Sequence, residues 1–143
     1  MLNQFIAQFT KEKLGYVQLK NKFFLIPSSV KKSGVFPAPI SQGLFLGEIQ
    51  KEKFYPALPL LSWLSPRTMR KIVVTDKAAW LFLCGRDINK ESIIGNIPLS
   101  GLVLVQNKKD ENLGYGVVTK MGIKNLLDRG DYLRRERKSS NTR

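Results

Sequence analysis

Gly85-Arg86-Asp87, at the end of the apolar run Ala78 to Cys84, puts three residue types with useful chemistry side by side. A glycine has no Cβ to hold a ribose-phosphate off the main chain, so its N–H could donate to a phosphate oxygen. An arginine next to it supplies a planar fork of donors that matches phosphate. Downstream, Lys120, Lys124, Arg129, Arg134, Arg135, Arg137 and Lys138 carry the cationic theme to the end of the chain. That series suits neutralisation of a nucleic-acid backbone, with affinity that falls steeply as salt rises. A plain helix C-cap and a charged strand edge that resists aggregation would use the same residues, and the two roles are compatible. Tyr132, beside charged residues, is the better base-stacking platform, whereas Tyr115 lies between two glycines and reads as core. Arg134 and Arg135 fall on opposite faces of an extended segment, so only one of them shares a face with Tyr132. With Lys77 added from the start of the preceding helix, the expected RNA-binding set is Lys77, Gly85, Arg86, Asp87, Lys120, Lys124, Arg129, Tyr132, Arg134, Arg135 and Arg137.

Other chemistry is excluded by what the chain lacks. It has 143 residues, no histidine and one cysteine. Imidazole acid–base catalysis, histidine metal ligation, an internal disulfide and a cysteine zinc site are therefore ruled out. Cys84, flanked by Leu81, Phe82 and Leu83, reads as a buried packing residue rather than a nucleophile. No strand, glycine-rich loop and helix occur in the order that would hold S-adenosylmethionine. The expectation is a protein that is not an enzyme, with no cofactor and no metal. The 24 Lys and Arg against 11 Asp and Glu give a net charge of +13, which points to a polyanionic partner. The charge is not a tail effect: residues 1–75 hold 11 basic and 3 acidic side chains, and residues 76–143 hold 13 and 8. Polar residues interrupt the N-terminus too early for a signal peptide, and no apolar run approaches the roughly 20 residues of a membrane span. The expected location is cytoplasmic, with no membrane partner.

These residues need elements to position them. Leu2, Phe5, Ile6 and Phe9 follow helical spacing, with Gly15 as the expected stop. Strands are expected at Tyr16–Lys20 and Phe23–Ile26 about an Asn21-Lys22 turn, then a Pro- and Gly-rich loop over 27–42, then a strand at Gly43–Gln50. A short helix between Pro56 and Ser65 should bury Leu58, Leu61, Trp63 and Leu64. After Pro66-Arg67 come a strand at Lys71–Thr75 and a helix capped by Asp76, running through Cys84 and ended by Gly85. Residues 86–100 read as a connection. Strands follow at Leu102–Gln106 and Leu113–Lys120, with a last one at Tyr132–Glu136. The fold class is α+β: an N-terminal α/β unit (1–70) packed on a small mixed β-barrel (71–138), with a disordered tail (139–143).

The second unit resembles a PUA domain, the RNA-binding module named after pseudouridine synthases and archaeosine transglycosylases. The resemblance rests on Leu83-Cys84-Gly85-Arg86-Asp87, Gly101-Leu102-Val103-Leu104-Val105 and Leu113-Gly114-Tyr115-Gly116-Val117. One departure is that Cys84 precedes the glycine and the basic residue follows it. Together with Ile123-Lys124-Asn125-Leu126-Leu127 and Arg129-Gly130, the motifs are similar to the RNA-binding extension of Fmu/Sun-type rRNA 5-methylcytosine methyltransferases. They are similar too to small ribosome-biogenesis proteins with an α/β unit before a PUA domain. The resemblance implies binding of structured rRNA in ribosome biogenesis. Its alternatives are a tRNA-binding recognition subunit for a modifying enzyme, or an adaptor that docks an rRNA methyltransferase or another biogenesis factor.

Overall fold

The computed structural model describes residues 1–26 and 44–131. The chain divides into a first unit, Met1–Arg67, and a second that starts at Thr68.

In the first unit, Leu2, Phe5 and Ile6 form the buried face of a short helix, α1 (Leu2–Ala7). It ends at Gln8, well before Gly15, because Phe9 and Thr10 both donate to the carbonyl of Ile6. Gly15 instead accepts from the N–H of Ile26 and extends a strand ladder. Strands β1 (Tyr16–Leu19), β2 (Lys22–Leu25), β3 (Phe45–Gln50) and β4 (Lys53–Pro56) form an antiparallel meander in chain order. Leu19 pairs with Lys22, so the first turn is Lys20-Asn21, one residue earlier than expected. β4 was not expected. Its hairpin turns on Lys51-Glu52, both at positive φ (49° and 65°), with Gln50 opposite Lys53. That is the type I′ geometry that strand twist favours, but it lacks the Asn-Gly pair that announces it in a sequence.

Helix α2 (Leu58–Leu64) carries Pro59 in its first turn, where the missing N–H has no helical partner to lose. Leu60, Leu61 and Leu64 are buried, whereas Leu58 and Trp63 are only half-buried, so Leu60 takes the core place expected for Trp63. Arg67 lies 4.5 Å above the Trp63 ring. Phe54 packs on Phe5 in a tilted contact and on Phe23 edge to face, with ring centroids 5.4 and 5.7 Å apart, the aromatic part of this unit's core.

The second unit begins with β5 (Lys71–Val74) and α3 (Asp76–Leu83). The cap of α3 is Thr75, not Asp76: the Thr75 hydroxyl accepts from the Ala78 N–H, and Asp76 occupies the first turn. The stretch expected as a plain connection holds two very short strands, β6 (Ile88–Asn89) and β7 (Ile93–Ile94), about a single 3₁₀ turn. Then come β8 (Leu102–Gln106), β9 (Asn112–Val118) and β10 (Gly122–Asp128). The sheet order is β6-β10-β9-β8-β5-β7, with β5 and β8 parallel and every other pair antiparallel.

The order itself forces curvature. In a flat six-stranded sheet the edge strands would lie about 24 Å apart, five spacings of about 4.8 Å. The four residue steps from Asn89 to Ile93 can reach only about 14 Å. The sheet must therefore curl until its edges approach, and the result is a nearly closed mixed barrel. Its core is Ile72, Val74, Val103, Val105, Leu113 and Ile123, with Ile88 from the edge and Ala78, Ala79 and Phe82 from α3. The architecture is α+β with a mixed β-barrel, as expected.

Candidate nucleic-acid interface

Helix α3 ends in a Schellman motif. Gly85 stands at φ +94°, a conformation that favours glycine. Its N–H donates to the Phe82 carbonyl at 2.9 Å, and the Arg86 N–H donates to the Leu81 carbonyl at 3.0 Å. This corrects one part of the sequence reading. The Gly85 N–H is consumed by the helix, so it is not a free phosphate donor, and the residue's contribution is an exposed turn without a side chain.

Asp87 is likewise exposed but structural. Its Oδ1 accepts from the Asn125 N–H on β10 at 2.9 Å. β6 pairs with β10 only at Ile88 and Asn89, so Asp87 continues that edge with a side chain where the backbone ladder stops. The Asn125 amide then donates to the Phe82 carbonyl at 2.9 Å, the Arg86 carbonyl at 3.4 Å and Asp128 Oδ2 at 3.0 Å. All three partners are acceptors, which fixes the orientation of the amide. Asn125 thus buckles the end of α3 to the barrel at the bulge of β10. It was named in the sequence only as part of a motif, and its role there was missed.

The buckle sets Arg86 beside β10. Ile123 and Ile88 point into the core, so Lys124 points outward. Lys120 sits in the β9–β10 turn. There the Met121 carbonyl accepts from the N–H of Lys90, a cation the sequence reading did not select. Lys77 is exposed on α3. Among the described residues, no ion pair engages Lys77, Arg86, Lys90, Lys120 or Lys124. The ion pairs found there involve Arg67, Lys71 and Lys108.

Arg129 does not belong to this surface. Its Nε donates to the Asn112 carbonyl at 2.6 Å and its terminal nitrogen to Asn112 Oδ1 at 3.4 Å. Partial burial lowers its pKa from the ordinary guanidinium value through desolvation. It acts as a strut between the end of β10 and the start of β9. Asn112 in turn donates to Gln106, a fully buried amide that also donates to Asp110. The Leu-Gly-Tyr-Gly motif is structural as well. A Cβ on Gly114 or Gly116 would lie 2.0 or 2.3 Å from a β10 carbonyl oxygen, so these glycines let β10 approach. Tyr115 between them is buried, as expected. Cys84 is exposed rather than buried, because it is the C-cap of α3 and lies one turn beyond the solvent-facing Trp80. Tyr132, Arg134, Arg135, Arg137 and Lys138, with the strand expected at 132–136, the tail and the 27–42 loop, lie outside the described residues.

Among the described residues, no group of three or more His, Cys, Asp or Glu is arranged to hold a metal, and no helix is long and apolar enough to cross a membrane. Residues 70–137 match the family model of the UPF0113 PUA domain. A UPF0113 protein of Archaeoglobus fulgidus is 29% identical over a matched segment covering 69% of this chain. The chain spans 64% of that relative's own length. A conserved PUA domain protein from Thermoplasma acidophilum superposes with a TM-score of 0.55 at 14% identity, covering 94% of this chain and 91% of that one. A hypothetical protein from Pyrococcus horikoshii gives 0.52 at 15% identity, covering 89% of each. At these identities the two structures speak for the fold, which is that of a PUA-type barrel.

Proposed function

We propose that the second unit binds structured RNA, chiefly through phosphate contacts and shape, and that it does so without catalysing a reaction. A PUA domain is in general an RNA-binding module, and residues 70–137 match one. The observation that carries the reading is the set of exposed cations, Arg86, Lys124, Lys120 and Lys90, along the β6–β10 edge and the turn after α3. No described carboxylate forms an ion pair with them: Asp87 has an oxygen committed to Asn125, and Glu91, next to Lys90 in the chain, is exposed and pairs with none of them. Cations held in this state are available to displace counterions from a phosphate backbone. The RNA we propose is structured ribosomal RNA bound during subunit maturation, in line with the resemblance of the strand motifs.

The test is the affinity for a structured rRNA fragment measured from about 50 to 200 mM salt, for the parent and for Arg86→Glu/Lys124→Glu. Log affinity should fall linearly with log salt, and removing two phosphate contacts should flatten the slope by about 2. Both side chains are exposed, so the melting temperature should be nearly unchanged. An affinity that does not depend on salt, or a double variant with the parent's slope, would refute the assignment of this face.

A further inference from the structure

The apolar residue left in solvent on α3 is Trp80, 66% exposed on the face opposite Ala78, Ala79 and Phe82. Lys77 lies three residues before it and Cys84 four after, so the three form one exposed stripe along the helix. The stripe ends at Gly85 and Arg86, where the glycine leaves the approach open. An indole is the side chain with the most area to gain from a flat apolar partner. The surroundings decide which partner. A protein helix or strand would meet two cations, Lys77 and Arg86, with no described acid paired to either. A nucleotide offers a π-face for the ring and phosphates for the flanking charges.

We infer that Trp80 is a stacking platform for one unpaired base of the bound RNA, with Lys77 and Arg86 on the phosphates to either side. This rests on the RNA-binding reading and sharpens it: the ligand must present an unpaired nucleotide, in a loop, bulge or end. A base in the interior of a duplex has both faces occupied and cannot stack on the indole, so duplex RNA away from its ends reaches only the cations. Stacking of this kind is tolerant of sequence because every base has a π-face.

The chain has two tryptophans, so Trp63→Phe makes Trp80 the sole indole reporter. A fully paired RNA duplex and a hairpin of the same stem with an unpaired loop are titrated in parallel. The hairpin should quench Trp80 fluorescence, and the duplex should bind with little quenching. Trp80→Ala should weaken hairpin binding by about 5- to 150-fold, the range for loss of one stacked base, with duplex affinity and salt slope unchanged. Trp80→Phe should keep part of the hairpin affinity. If both RNAs bind, yet neither quenches and Trp80→Ala binds the hairpin like the parent, the platform is overturned while RNA binding stands. If neither RNA binds the parent, both readings fall.

Discussion

Replacing Asn125 by Asp should be severely destabilising for a single-atom change, and the damage should be reversible in acid. The amide nitrogen of Asn125 lies 3.0 Å from Asp128 Oδ2 and 2.9 Å from the Phe82 carbonyl, and Asp128 is only 3% exposed. An oxygen in that place turns three acceptor contacts from attractive to repulsive. Two carboxylates 3.0 Å apart repel by about 5–6 kcal/mol at an effective dielectric near 20. Position 125 is half-exposed, so rotation of the new carboxylate toward water should recover roughly half of that. The lost hydrogen bonds add about 1–3 kcal/mol. Asn125→Asp should therefore cost about 3.5–6 kcal/mol near pH 7, a large part of the ~5–15 kcal/mol stability of an ordinary domain. Asn125→Ala should lose only the hydrogen-bond share of about 1–3 kcal/mol.

The two variants separate with pH. In folded Asn125→Asp the carboxyl pair holds a proton that the unfolded chain releases near pH 4, so its folded-state pKa is raised. The folded state then binds more protons than the unfolded one, and stability falls as pH rises. The excess damage over Asn125→Ala should be nearly absent below about pH 4 and grow to its full size as pH climbs past the folded value. Urea unfolding of both variants from pH 4 to 7.5 measures the gap. A gap that is constant with pH, or an Asn125→Asp variant as stable as Asn125→Ala at pH 7, would show that the amide is not facing Asp128. RNA affinity should drop with either variant even where both remain folded, since the turn carrying Arg86 loses its tie to β10.

Gly85 and the Lys51-Glu52 turn test the backbone in opposite directions. Gly85→Ala should destabilise by about 1 kcal/mol because φ +94° is strained for an L side chain, and Gly85→Asn should cost less, both read from the urea midpoint. Lys51→Asn with Glu52→Gly should raise stability by about 1 kcal/mol by supplying the residues a type I′ turn prefers, and a lower urea midpoint would contradict the hairpin geometry.

Local signals marked part of this molecule clearly. The Val-rich β8, the strand at Lys71 and the glycine that stops α3 were all legible, because neighbouring residues decide strand alternation and helix ends. Composition was decisive too: a net charge of +13 and the lack of histidine restrict the chemistry whatever the fold. Tertiary structure alone decided the rest. β6 and β7 have two residues each, too short for any period, and exist only because the curled sheet brings partners to them. β10 was missed because its charged and polar residues alternate irregularly around a bulge. Arg129 and Arg86 look equivalent in the chain, yet one braces Asn112 beneath partial burial and the other meets solvent. Trp80 and Phe82 lie two residues apart in one apolar run. They point to opposite sides of α3 because a helix turns about 100° per residue, and the position of the barrel decides which of them is buried.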